Sequence, residues 1–448
     1  MNGFKVRSIR SLLIGSITLL ACTAGLAQVK GRIKGQVTDG NMGDPLPFAT
    51  VHLKDTDPVI GTTTDLEGKF TIDNVPVDRY TIEFSFTGYD PLIKKEVLIS
   101  SGKEVILNAT LNESVINLNE IIVKPKVSKH EAVNKLSGIN SRMLSVEEAN
   151  RYAGGFDDPA RLASAFAGVS SGIQSNGIVV RGNNPQSLLW RMEGVEISNP
   201  NHFADQSVFG GGGLTALSSQ MLANSDFLTG AFPSSYNNAT SGVFDLHMRT
   251  GNSDQREHTF QAGLIGIDVA SEGPFKKGSN STYLFNYRYS TLALIEPLLP
   301  EEATGIKYQD LSYKIKMPTK KAGLFSLWGI GLIDRSGQDP KDSEERVYET
   351  DQLDQNVDQY MGATGIKHTF FIGDNMFVES DLAFTANGLD YTSIKFEDNV
   401  NSSPDERIKN ENWSYVFQSQ LNTDLTKKHT NQTGFRSTVL NYNLLLRT

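Results

Sequence analysis

The sequence predicts a mainly β protein built in three successive parts. Period-two alternation of apolar and polar residues runs through 31–111 and returns, in longer stretches, after residue 251. The composition agrees: 23 Phe and 14 Tyr against 3 Trp, with 40 Gly in 448 residues, suit strands joined by many turns. Between the two alternating regions, 128–250 mixes helix signals with short strands and reads as α+β.

At ~100–200 residues per domain, this length holds two to four domains. Lys plus Arg is 42 and Asp plus Glu is 51, a net charge of −9. A nucleic-acid binder would need a basic face to neutralise phosphates, so that class is excluded. A mean hydropathy of −0.29 excludes a polytopic helical membrane protein, because each span takes ~20 mostly apolar residues. Cys22 is the single cysteine, which leaves no disulfide framework and no cysteine zinc cluster.

Residues 1–27 read as a signal peptide. Lys5, Arg7 and Arg10 precede a short apolar run from Ser11 to Cys22, and Gly25 and Ala27 place small residues at −3 and −1 of a cleavage site. Leu19-Leu20-Ala21-Cys22 offers a competing site, with lipidation of Cys22, but Leu20 is bulky for its position.

Residues 31–111 read as seven short strands of an antiparallel sandwich. Ile33, Gly35 and Val37 alternate with polar neighbours, as do Ala49, Val51 and Leu53, and Tyr80, Ile82, Phe84 and Phe86. Asp65-Leu66-Glu67-Gly68 is a turn signal ahead of Phe70 and Ile72. The acidic set Asp55, Asp57, Asp65 and Glu67 lacks EF-hand spacing and reads as solvated turns rather than a metal site. The strings Gly35-Gln36-Val37-Thr38-Asp39, Pro45-Leu46-Pro47-Phe48-Ala49, 61–70 and Phe84-Ser85-Phe86-Thr87-Gly88-Tyr89 resemble the carboxypeptidase-regulatory-like, prealbumin-type domain.

Residues 112–127 read as a linker carrying Leu118-Asn119-Glu120-Ile121-Ile122-Val123, a β-prone run cut off by Pro125. Standing just after the sandwich, it resembles a TonB box of Bacteroidetes outer-membrane receptors. That resemblance implies β-augmentation of the periplasmic protein TonB, working with ExbB/ExbD, by backbone hydrogen bonds.

In 128–250, Val146–Tyr152 and Asp158–Phe166 read as short helices capped by Ser145 and Asp157. Ile178-Val179-Val180-Arg181-Gly182, Leu188–Met192, Glu193-Gly194-Val195, Phe227–Pro233 and Ser241–Leu246 follow in order. The order resembles the plug domain of TonB-dependent receptors, with Glu193 where the family has aspartate. Arg181 is charged within an apolar strand, and since an unpaired buried charge is costly it is expected to pair with an acid of the plug or barrel wall, the alternative being an exposed Arg on an edge strand. The resemblance implies that Asn183, Asn184 and Gln186, with Asn201, His202 and Phe203, lie on apical loops facing a ligand. His202 with Asp205 supplies two metal ligands without a third and reads as a loop histidine. The longer signature of the SusC/RagA subgroup is not visible, so a SusD-type lipoprotein lid is not expected.

From 251 to 448, Tyr283, Phe285, Tyr287 and Tyr289 alternate with Thr282, Leu284, Asn286 and Arg288. Met376, Val378, Leu382 and Phe384 repeat the pattern, as do Trp413, Tyr415, Phe417 and Leu421. An apolar face toward lipid and a polar face toward a lumen is the pattern of an antiparallel transmembrane β-barrel. Gly323–Ile333 is apolar on both faces. At ~20 residues per strand and connection, this region supplies about eight to ten strands. The resemblance implies 22 around a plug, so the reading is an incomplete barrel from the N-terminal part of a longer receptor.

The function implied is an outer-membrane transporter that imports a scarce nutrient with force from TonB, its N-terminal domains in the periplasm and its barrel in contact with outer-membrane lipid. Siderophore, cobalamin, glycan and peptide ligands all remain open. A secreted or surface β-rich adhesion protein is the alternative. An enzyme is not expected: there is no Gly-x-Ser-x-Gly elbow and no Gly-x-Gly-x-x-Gly loop, and His130-Glu131 has no neighbouring ligand. No cofactor or resident metal is implied. Edman sequencing of the exported protein is expected to begin at Gln28; a lipidated start at Cys22 would overturn the cleavage reading.

Overall fold

The computed structural model describes residues 30–39, 44–54, 56–100, 103–111, ten positions between 134 and 149, 158, 161–171, 176–204, 211–263, 266–291, 307–372, 376–398, 400–426 and 429–447. The chain divides into two compact units, Met1–Val123 and Lys124–Thr448. The signal segment and Leu118–Val123 lie outside the described residues.

The first unit is a two-sheet sandwich. Its strands are β1 (Lys30–Asp39), β2 (Thr50–Leu53), β3 (Gly61–Thr63), β4 (Lys69–Pro76), β5 (Arg79–Ser85), β6 (Leu92–Leu98), β7 (Glu104–Ile106) and β8 (Ala109–Leu111). One sheet runs β4-β1-β7, with β8 also on β1; the other runs β3-β2-β5-β6. The alternating residues meet between the sheets: Ile33, Val37, Val51, Leu53, Ile82 and Phe84 are buried, and Phe70 stands edge-on to Phe84 with centroids 5.6 Å apart. Asp65 builds its turn by accepting from the Glu67 and Lys69 amides at 3.1 and 2.7 Å, with Gly68 at φ +70°.

The sandwich is not wholly antiparallel, as the alternation suggested. β7 and β8 run parallel to β1. The reason is topological: the chain crosses to the second sheet at β5 and β6 and re-enters the first beside β1, in β1's own direction. Gly35 makes the close approach possible, since a Cβ there would stand 1.8 Å from the Leu107 carbonyl oxygen.

The second unit begins with a central sheet. Its strands are β9 (Ser141–Leu144), β10 (Val169–Ser171), β11 (Ile178–Val180), β12 (Leu189–Met192), β13 (Val195–Ile197), β14 (Asn201–His202), β15 (Leu214–Thr215), β16 (Ser225–Leu228) and β17 (Val243–Leu246). Five form one sheet in the order β13-β12-β17-β16-β9, and β10-β11 and β14-β15 are separate pairs. Every residue of β12, β16 and β17 is buried, so both faces of the sheet are covered. Trp190 stacks on Phe244 at 4.3 Å, and Phe227 lies 4.5 Å from Phe244. Of the expected helices, Arg161–Ala165 is a 3₁₀ helix within 158–166. The segment 146–152 lies largely outside the described residues.

The rest of the unit is one antiparallel sheet in sequence order. It comprises β18 (Glu257–Ala262), β19 (Gly266–Pro274), β20 (Thr282–Ser290), β21 (Lys307–Pro318), β22 (Leu324–Gln338), β23 (Leu353–Phe371), β24 (Met376–Phe396), β25 (Ser402–Thr426) and β26 (His429–Arg447). These nine strands fall within the expected eight to ten. Among the described residues β18 and β26 do not pair with each other, so the sheet is open. The antiparallel order puts Pro274, Pro318, Phe371 and Thr426, the ends of β19, β21, β23 and β25, at one rim, and Ala262, Ser290, Gln338 and Phe396, the ends of β18, β20, β22 and β24, at the other; the longest stretches of sequence between strands, 291–306 and 339–352, follow β20 and β22.

The two faces of this wall differ as the alternation predicts. Phe285, Ile333, Leu382 and Tyr415 point outward and are exposed. Leu284, Trp328, Ile330, Leu332, Met361, Ala363, Ala383 and Val416 point inward and join the core of the central sheet. That explains why 323–333 is apolar on both sides: its inner face packs on the central sheet, and Trp328 is fully buried there.

Gly35→Ala in an isolated 30–111 fragment is expected to lower unfolding free energy by at least the ~1–3 kcal/mol of an overpacked site. Urea unfolding of the fragment measures it, and an unchanged midpoint would refute the close-approach account.

Candidate functional site

The central sheet meets the wall through a seam of buried polar groups, and the β12–β13 hairpin organises it. Its two-residue turn has Glu193 at φ +53° and Gly194 at φ +91°, the positive-φ pair that a tight hairpin matching strand twist requires. The turn carries the Glu193 carboxylate to the wall, where it accepts from Lys314 Nζ at 2.7 Å and from the Met248 amide at 2.7 Å. Lys314 also donates to the Met248 carbonyl at 2.7 Å. Burial works to raise the pKa of Glu193, but Lys314, Lys367 and His247 outweigh it and hold the carboxyl below its ordinary range.

The Gly194 carbonyl is a second anchor. It accepts from Arg191 Nη2 at 2.7 Å and from Gln418 Nε2 at 3.2 Å, with Arg436 Nη2 at 3.4 Å. The Arg191 guanidinium lies 4.4 Å from the Tyr236 ring centroid. Tyr236 donates to Asp245 at 2.7 Å and accepts from Asn134 at 3.0 Å. Burial first, then Asp245, pushes the Tyr236 phenol far above its ordinary range. Burial works to raise Asp245, and Arg191 and His247 overcome it, so this carboxyl is held low.

Near the opposite rim, His202 is fully buried between two wall carboxylates. Its Nε2 lies 3.0 Å from Asp310 and its Nδ1 3.3 Å from Asp334. The Phe203 amide also donates to Asp334, at 3.1 Å, and Arg288 pairs with Asp310 at 2.8 Å. Glu193 meets β21 at Lys314, nearer its Pro318 end, and His202 meets it at Asp310, nearer its Lys307 end, so the segment 193–203 runs along the inner face of the wall.

Between these anchors lies a cavity of about 570 Å³, bounded by β13, residues 237–238, and the inner faces of β24, β25 and β26. Ser198 donates to Asn387 across it at 2.9 Å.

Several sequence-predicted residues fall elsewhere. Arg181 does not lie within a strand: β11 ends at Val180, and Arg181 and Gly182, at φ +51° and +80°, form a left-handed turn. That reversal carries the guanidinium away from the sheet, so Arg181 is exposed, and its hydrogen-bond partner among the described residues is Thr229, not an acid. Asn183, Asn184 and Gln186 are exposed, and Asn184 caps the 3₁₀ turn Pro185–Ser187 through the Gln186 amide at 2.9 Å. Asn201 and His202 are not exposed to a ligand: both are fully buried, and Asn201 bonds to Asn199 and Asn176. Phe203, at φ +57°, turns the chain beside them. The sequence reading missed Arg191, Lys314, Asp310 and Asp334. Their signal was faint: a charge on the polar face of an alternating strand, indistinguishable locally from a solvated one.

Residues 33–123 match the CarboxypepD_reg-like domain. That match covers all of the sandwich from Ile33 onward and the segment after it to Val123. Curated proteins return no match. Among solved structures, the chain is similar to the ferric enterobactin receptor of Pseudomonas aeruginosa, at 11% identity and a TM-score of 0.39 over 68% of this chain and 58% of that one. It is also similar to the siderophore receptor PiuA of Acinetobacter baumannii, at 11% and 0.42 over 70% and 49%. The pyoverdine receptor FpvA of Pseudomonas aeruginosa matches at 10% and 0.42 over 62% and 43%. The chain thus spans about half the length of these receptors.

Glu193→Gln is expected to cost about 3–5 kcal/mol, because it leaves the Lys314 ammonium buried against a neutral amide. Lys314→Met should cost a similar amount alone, and the double variant at least ~1 kcal/mol less than the sum. Chemical unfolding in detergent, followed by tryptophan fluorescence, measures the cycle; strict additivity would mean that the two groups do not interact.

Proposed function

We propose that this chain is a TonB-dependent outer-membrane receptor that imports a scarce nutrient into the periplasm. One observation carries the reading. A covered central sheet is held by buried ion pairs to the inner face of a wall whose outer face exposes Phe285, Ile333, Leu382 and Tyr415. In water such an apolar outer face would drive association, whereas lipid satisfies it. The unequal rims support the same reading, since outer-membrane barrels have short turns on the periplasmic side and longer loops outside. In this account 128–250 is the plug, the sandwich of 31–111 stands in the periplasm, and Leu118–Val123 is the strand handed to TonB, which ExbB/ExbD energise. In this reading the wall is a transport conduit. Its ligand is a small molecule, glycan or peptide that enters from the rim of the longer connections.

The test is capture of TonB. A peptide of residues 112–127 is expected to bind the soluble C-terminal domain of TonB, and Ile122→Pro to weaken binding at least tenfold by removing an N–H and blocking the ladder. In cells carrying the gene, the same substitution should abolish energy-dependent uptake and leave ligand binding intact. Equal capture by both peptides would refute the assignment of the segment.

A further inference from the structure

Phe48, just ahead of β2 in the sandwich, holds a backbone angle that its own packing does not justify. Its φ is +61°, in the left-handed region that strains a residue with a Cβ and that glycine takes freely. The backbone there is pinned. The Phe48 amide donates to the Thr64 carbonyl at 3.0 Å, the Ala49 amide to Thr64 Oγ1 at 2.8 Å, and Thr64 Oγ1 to the Leu46 carbonyl at 2.6 Å. Each of these bonds uses main-chain groups of 46–49, so glycine at 48 would keep them all. The position instead carries a phenyl ring, and Phe48 is 66% exposed. A strained, rigidly held aromatic turned to solvent is unexplained by folding and suits binding.

Phe48 borders an open cleft of about 320 Å³ between β3 and β4, the outer strands of the two sheets. That volume lies in the range of small-ligand sites. Phe70 is buried beneath the cleft, and Thr63, Asp65, Lys69 and Thr71 are exposed around it. Asp65 uses Oδ1 for the Glu67 and Lys69 amides, and its Oδ2 carries no hydrogen bond among the described residues. Lys69 makes no ion pair among them.

A carboxylate accepts, an ammonium donates, and a threonine hydroxyl does both. Adjacent hydroxyls of a pyranose match that set, one donating to the carboxylate and its neighbour accepting from the ammonium. The C–H face of the same ring, with its positive hydrogens, lies well on the negative face of an aromatic. A peptide adding as a strand fits less well, because it needs backbone groups along an edge. Those of β4 are interrupted at both ends: the Asp65 turn takes the Lys69 amide and carbonyl, and Asn74 stands at φ +59°. We infer that this cleft is a saccharide-binding site, with Phe48 as the stacking platform and Asp65 and Lys69 as the pair that reads adjacent hydroxyls. The site lies wholly within the sandwich, so it depends neither on the wall nor on the receptor reading.

The full chain in detergent micelles is titrated calorimetrically with maltotetraose, cellotetraose and chitotetraose, and in parallel with the 112–127 peptide. At least one saccharide is expected to bind; chitotetraose alone points to N-acetylated glycan strands, and either of the others to free oligosaccharides. Phe48→Gly should weaken binding at least tenfold without lowering the urea midpoint of the sandwich, since glycine takes φ +61° unstrained. Phe48→Tyr, which keeps the ring, should bind within threefold of the parent. Asp65→Asn, whose Oδ1 still caps the turn, should weaken binding at least threefold. The site is overturned if no saccharide binds, if Phe48→Gly binds as tightly as the parent, or if the peptide binds and the saccharides do not. Should Phe48→Gly lower the midpoint, Asp65→Asn decides, and unchanged binding by that variant overturns the site.

Discussion

A carboxylate removed from water must find a cation and hydrogen-bond donors or give up its charge. Glu193 meets that demand with Lys314 and the Met248 amide, and much of the second unit is arranged around the result. The hairpin turn must adopt positive φ at two successive residues to deliver the side chain. β21 must hold a register that points Lys314 inward, which also points Ser312 and Asp310 inward. Asp310 then lies where His202 and Arg288 reach it. A slip of one residue in β21 would turn this whole row outward.

The elements legible in the sequence are those whose signal is local. Tyr283–Tyr289 and Trp413–Leu421 alternate, and their exposed and buried faces follow that alternation. Asp65–Gly68 reads as a turn because its aspartate can bond to the backbone amides that follow and its glycine accepts positive φ, as the structure has them. His202 was not. A histidine between Asn201 and Phe203 looks like a loop residue until Asp310 and Asp334, more than a hundred positions away, close on both ring nitrogens.

Arg181 shows the opposite error. Its apolar neighbours suggested burial, but a two-residue left-handed turn decides where the side chain goes, and such a turn lies below the resolution of a periodicity argument. The parallel return of β7 and β8 was hidden in the same way. Strands of three residues carry too little alternation to reveal direction, and direction follows from the crossover between sheets.

The pairing of β12 with β17 has a consequence for how this chain is made. β12 lies between β13, its immediate successor, and β17, which begins at Val243. During synthesis the first half of the central sheet therefore emerges about fifty residues ahead of the strand that joins it to β16 and β9. Until Val243–Leu246 arrives, the apolar faces of Trp190, Met192 and Phe227 have no neighbour to cover them. The window lengthens further for Glu193, whose cation lies on β21. The residues that later become the most enclosed layer are therefore the ones that stay uncovered longest while the chain is being made.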